Sequence, residues 1–126
     1  MSEINTEAGE DTPSVFLDES KGILIIEGNS TPEDTVKFYQ PVIDWLIAYP
    51  LSPFPLLTLQ FKLNYYNTAS SLLLLRVMQR ADDLVPDGFS VKIEWHYKED
   101  DEEMLDAGYM FQDAISKTTI DFIPFK

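Results

Sequence analysis

"LTLQFKLNYYNTASSLLLL", Leu57 to Leu75, decides the fold. Leu57, Leu59, Phe61 and Leu63 alternate with Thr58, Gln60, Lys62 and Asn64, the period-two pattern of a strand with one buried face. The alternation then meets Asn67, Thr68, Ser70 and Ser71, and immediately beyond them the leucine run Leu72–Leu75. A strand thus passes through a polar corner into an apolar helix, "TASSLLLLRVMQRADDLV", which ends near Pro86–Gly88.

Working outward, "VKIEWHYK" repeats the strand pattern, with Val91, Ile93, Trp95 and Tyr97 opposite Lys92, Glu94, His96 and Lys98. "DDEEMLDAGYMFQDAISK" predicts a further helix, with acids in its first turn and Met104, Gly108, Phe111 and Ile115 at helical spacing. "TIDFIPF" closes as a short strand. Upstream, "SVFLD" and "GILIIEG" read as strands joined by a turn at Gly22. Ile23–Ile26 is apolar on both faces, which predicts a central strand covered from both sides.

In "NSTPEDTVKFYQPVIDWLIAY", Ser30 and Glu33 make a capping-box pattern. Val36, Tyr39, Val42, Ile43 and Leu46 form an apolar stripe, Pro41 predicts a kink, and "PLSPFP" ends the helix. Residues 1–12 are polar and acidic and read as a flexible tail, leaving 13–126 as the domain. The order strand, strand, helix, strand, helix, strand, helix, strand implies one α/β domain. Its sheet is mixed and mostly parallel, with helices mainly on one face.

Composition narrows the function. The chain has 126 residues, 44% of them hydrophobic, enough for a packed core. Its net charge of −13 repels phosphate backbones and anionic lipid, so neither nucleic acid nor membrane insertion is expected, whereas a basic partner surface would be attracted. The absence of cysteine removes disulfides and thiolate chemistry and fits a reducing cytoplasm. The N-terminal stretch has neither the basic nor the apolar region of a signal peptide.

Catalytic motifs do not emerge. Glu99–Glu103 with Asp106 lacks the alternating ligands and central glycine of a calcium loop and reads as an acidic helix start, so no metal or other cofactor is expected. His96, the one histidine, has no nucleophile near it in sequence, and a nucleophile elbow, a phosphate-binding glycine loop and a dinucleotide fingerprint are all missing. The expectation is a protein that is not an enzyme.

The corner supports two readings. Asn67 or Thr68 caps the helix, a contribution of about 1 kcal/mol; or a hydroxyl there is exposed on a rigid corner for phosphorylation, which adds nearly two negative charges. Leu72–Leu75 raise a separate question. Four successive helical residues sweep about 300°, so one leucine must leave the core, toward a neighbouring helix or toward a partner.

The element order, with "GILIIEGNSTPEDTVKF" before the first helix and hydroxyls opening the second, resembles the STAS domains of anti-sigma-factor antagonists. In those domains a serine or threonine at this corner is phosphorylated. Their Asp-Ser-Ser-Gly type of corner is replaced here by "YNTASS", so that likeness leaves the site open. A closer resemblance, carried by "TPSVFLD", "KGILIIEGNSTPEDTVKFYQPVIDWL", "LTLQFKLNYYNTASS", "IEWHYKEDDEEMLDAG" and "FIPF", is to the SiaC family of bacterial regulatory phosphoproteins.

That resemblance implies a non-catalytic switch. A Ser/Thr protein kinase phosphorylates the corner threonine, here Thr68 with Ser70 and Ser71 as fallbacks, and a PP2C-type phosphatase reverses it. The unmodified form binds and activates a diguanylate cyclase, raising cyclic di-GMP and promoting biofilm. Tyr65, Tyr66, Asn67 and Leu72 are then the expected partner-binding residues. The STAS likeness implies the alternative, an antagonist acting on transcription by partner switching.

Overall fold

A computed structural model describes residues 3–49 and 56–126. The sheet has six strands in sequential order: β1 (Glu3–Thr6), β2 (Ser14–Asp18), β3 (Ile23–Ser30), β4 (Leu56–Tyr66), β5 (Ser90–Lys98) and β6 (Ile120–Phe125). β1, β2 and β3 are joined antiparallel; β3 through β6 run parallel. Helices α1 (Thr35–Ile47), α2 (Thr68–Asp82) and α3 (Glu102–Asp113) make the three parallel crossovers. Sequential order with right-handed crossovers places all three on one face. This is the mixed, mostly parallel α/β layer expected.

The alternation in β4 sorts its residues as read: Leu57, Leu59, Phe61 and Leu63 are buried beneath the helices, while Thr58, Gln60 and Lys62 lie half-covered on the other face. Ile93 and Trp95 of β5 continue that core. β3 departs from expectation. Leu24 and Ile26 are buried, but Ile23 and Ile25 face the side without helices and are only half-covered. Antiparallel neighbours on one flank leave that face open, so its apolar residues are sheltered by adjacent side chains alone.

The segment assigned to a flexible tail also departs from expectation. Residues 3–6 form β1, with Ile4 opposite Leu17 and packed against the core. Its composition is poor for a strand, yet pairing satisfies the otherwise free edge of β2, which outweighs weak local propensity. The domain therefore begins before residue 13.

The β2–β3 turn requires Gly22, whose φ is +63° and where a Cβ would collide with the Leu56 carbonyl oxygen. Gly108 is required for a different reason, since α3 lies so close to the sheet that a Cβ there would fall 2.7 Å from Trp95 Cδ1 and 2.5 Å from Phe122 Cε1.

α1 starts later than its capping-box pattern suggested. Ser30 is the last residue of β3, and Asp34 caps the helix by accepting from the Lys37 amide at 3.1 Å. Tyr39, Val42, Ile43, Trp45 and Leu46 are buried, whereas Val36, in the first turn, points to solvent. The helix continues through Pro41 as a single element. "PLSPFP", expected to end it, lies at residues 50–55, outside the described residues. α3 begins as the acidic run implied: Asp101 accepts from the Met104 amide at 3.0 Å, and Glu102 and Glu103 occupy the first turn. Ile115 is buried, but just beyond the helix end.

Candidate functional site at the β4–α2 corner

The corner is built by a break in strand phase. Gly28 pairs with Leu63 but Asn29 pairs with Tyr65, so Asn64 is an extra residue bulged out of β4. Strict alternation would turn Tyr65 inward after Leu63. The bulge reverses this: Tyr65 is 59% exposed, while Tyr66 turns under the helices and its ring packs against Trp95 and Phe111 at 6.2 and 6.3 Å. Burial, with the Asp101 charge adding to it, holds the Tyr66 hydroxyl above its ordinary pKa.

Asn67 resolves the capping question. Its backbone is extended (φ −88°, ψ 175°), and its side-chain oxygen accepts from the Ser70 amide at 2.9 Å. The Asn67 amide donates to the Ser30 carbonyl at 3.1 Å, carrying the β3–β4 ladder into the corner. Thr68 is the first helical residue. It is exposed, and its hydroxyl has no hydrogen-bond partner among the described residues. The cap contribution therefore belongs to Asn67 and not to Thr68.

Ser70 is committed elsewhere. Fully buried, it donates to the Ser30 carbonyl at 2.8 Å and accepts from the Ser30 hydroxyl at 2.8 Å. Since the Ser30 proton is used there, Tyr39 donates its own to Ser30 Oγ. A kinase reaching Ser70 would first have to break this chain. Ser71 is half-buried and lines the same groove as Thr68.

Of the leucine run, Leu73 and Leu74 are buried, Leu75 is partly covered, and Leu72 is 51% exposed. α1 packs along α2. Between α2 and α3 lies an open groove, walled on one side by Thr68, Ser71, Leu72 and Leu75 and on the other by Ala107, Met110 and Phe111. It runs on past Tyr65 and Tyr66 to Asp101 and Glu103. Met110, 73% exposed, was missed by the sequence reading. "GYMF" carried the same signal as the leucines, because three large residues in succession cannot all face one sheet.

His96 lies on the opposite face of the sheet, beside buried Trp95, with its Nε2 2.8 Å from Glu94 Oε1. Burial pushes the Glu94 carboxyl up, but the hydrogen bond and charge of His96, with Lys92, outweigh it and hold the group below the usual range. Among the described residues, no group of three or more acidic or histidine side chains is placed to hold a metal ion, and no helix is long and apolar enough to cross a membrane.

Residues 6–125 match the model of the SiaC family regulatory phosphoproteins. An uncharacterised protein of Pseudomonas aeruginosa (strain UCBPP-PA14) is 26% identical over 116 residues, 92% of each chain. Among solved structures, SiaC of Pseudomonas aeruginosa superposes with a TM-score of 0.87 at 24% identity, over 99% of this chain and 100% of that one. A chain from the crystal structure of the diguanylate cyclase SiaD in complex with its activator SiaC, from the same organism, gives 0.89 at 23% identity, over 97% and 99%. At these identities the superpositions establish a common fold.

Proposed function

This chain belongs to the SiaC family of regulatory phosphoproteins, and on that premise we propose that it is a non-catalytic, STAS-like switch set by phosphate on Thr68. It is cytoplasmic and, unphosphorylated, binds and activates a diguanylate cyclase, raising cyclic di-GMP and promoting biofilm. A Ser/Thr kinase adds the phosphate and a PP2C-type phosphatase removes it. The structural relative described as the activator of SiaD supports the cyclase as the class of partner.

The observation that carries the reading is the division of labour between Asn67 and Thr68. Asn67 does the capping, which leaves the Thr68 hydroxyl exposed and uncommitted at the mouth of the α2–α3 groove. Tyr65 and Leu72 supply exposed apolar surface on either side of it. Tyr66 and Asn67 contribute less directly, one as groove floor and the other as cap.

No lysine or arginine is among the residues lining the groove, and its continuation past Tyr66 carries Asp101 and Glu103. A phosphate dianion on Thr68 would have to be desolvated on docking without an internal partner. An unpaired charge at an interface costs several kcal/mol, and each 1.4 kcal/mol is tenfold in affinity. Occupancy would change by orders of magnitude.

Phosphopeptide mapping after incubation with the kinase, followed by cyclase assays, tests the reading. The expected result is phosphate confined to Thr68, with Thr68→Ala refusing phosphate and still activating, and Thr68→Asp activating poorly. Phosphate at another residue, or wild-type activation by Thr68→Asp together with continued phosphorylation of Thr68→Ala, would overturn it.

A further inference from the structure

The geometry points to a small-molecule site on the helix-free face of the sheet, one that takes a free α-amino acid as its zwitterion. Lys62 and Asn64 meet the carboxylate, Glu27 meets the ammonium group, and the Phe125 ring covers an apolar side chain. The site lies across the sheet from the α2–α3 groove and stands independently of the switch reading.

A cavity of about 310 Å³ is lined there by Glu27, Lys62, Asn64, His96 and Phe125, a volume at the low end for small-molecule pockets. These residues come from the carboxyl-terminal halves of β3, β4, β5 and β6, which run parallel. Open α/β sheets gather ligands at that end of their strands. The cavity has a local cause. The β4–β5 ladder stops at the Phe61–Trp95 pair, one residue before Lys62 and His96, and Asn64 bulges out of β4 just beyond.

Charge selects the ligand. Lys62 and Glu27 are directly opposite in register, yet neither side chain has an ion-pair or hydrogen-bond partner among the described residues. An exposed pair of this kind is worth at most about 1 kcal/mol, so a ligand that meets the two charges separately gives up little. His96 is already engaged, with Glu94 holding its Nε2 at 2.8 Å, and it serves as a fixed wall. A simple anion would face Glu27 and, beyond it, the net charge of −13. A simple cation would face Lys62. A ligand with both signs on one carbon satisfies both side chains, because adjacent strands are only ~4.8 Å apart. The Asn64 amide adds a donor for the carboxylate. Phe125, 43% exposed, presents an apolar ring, which favours amino acids with apolar side chains.

Asn64 also lines the continuation of the α2–α3 groove past Tyr66. A ligand held by Asn64 therefore acts on the bulge that sets the directions of Tyr65 and Tyr66 and leads into Thr68.

The test is calorimetry on the full chain with L-leucine, L-methionine, L-phenylalanine, L-glutamate and L-lysine as probes. At least one of the three apolar amino acids should bind with a Kd of about 1 mM or tighter, and its N-acetyl and amide derivatives should each bind at least about tenfold more weakly. Glu27→Gln and Lys62→Met, both on the solvent side of the sheet, should each weaken binding by about tenfold or more, whereas Lys37→Met on α1 should not change it. Amide resonances from Asn64 to Thr68 should shift on titration. Absence of binding by all of these probes at millimolar concentration, acetate binding as tightly as the amino acid, or Glu27→Gln and Lys62→Met both within about twofold of wild type would overturn the site. Shifts that leave Tyr65 to Thr68 untouched would overturn its link to the corner.

Discussion

The Ser70 hydroxyl donates to the Ser30 carbonyl at 2.8 Å, and the Ser30 hydroxyl donates back to Ser70 at 2.8 Å, with both residues fully buried. This reciprocal pair ties the first turn of α2 to the end of β3. It holds the Thr68 corner from beneath without involving Thr68.

Ser70→Ala should therefore destabilise the fold by about 1–3 kcal/mol, because it strands the Ser30 hydroxyl and removes one donor to the Ser30 carbonyl. Urea unfolding followed by circular dichroism would measure this. Wild-type stability would mean that the pair contributes nothing net.

Tyr39 extends the chain, and its ionisation should be visible at alkaline pH. Burial pushes its hydroxyl up to about 12, more than the hydrogen bond with Ser30 lowers it. A group whose folded pKa is raised stabilises the fold below its unfolded value, near 10. Stability should thus be lost progressively between about pH 10 and 12, by on the order of 2 kcal/mol. Unfolding across that range should show a steeper slope in wild type than in Tyr39→Phe, which is less stable at neutral pH and keeps only the part contributed by other buried tyrosines such as Tyr66. An equal slope in both proteins would assign it to other groups.

Capping separates Asn67 from Thr68. Asn67→Ala should cost about 1 kcal/mol, whereas Thr68→Ala should stay within about 0.5 kcal/mol of wild type. A chemical denaturation series on the two variants checks this. The reverse order would return Thr68 to the role of a cap.

If the proposed function holds, a kinase would approach Thr68 over the same corner as the cyclase, so the two should compete. Rising cyclase concentration should slow phosphorylation of this chain in proportion to occupancy. A ternary complex of chain, kinase and cyclase in a pull-down would refute the competition.

Much of this protein was legible in its residues because the relevant signals are local. Period two in β4 and β5, the acidic start of α3, and Gly22 between β2 and β3 depend on backbone geometry within a few residues, and each element formed where it was expected. The Asn67–Thr68 corner was legible for the same reason. The choice between the two as cap was not, since it depends on side-chain direction at the end of a bulged strand.

What the sequence by itself determined is the order of elements, the buried face of β4, and the position of an exposed hydroxyl at the head of α2. Tertiary structure alone decided the rest. β1 forms because β2 has an edge to satisfy, and Ser30 leaves the helix cap to join Ser70 because β3 runs to the corner. The Asn64 bulge exchanges the roles of Tyr65 and Tyr66, and Met110 meets Leu72 across a groove because two crossovers lie side by side on one sheet face. These outcomes depend on contacts between segments tens of residues apart. Local pattern constrains such contacts only through the hydrophobic surface it leaves over.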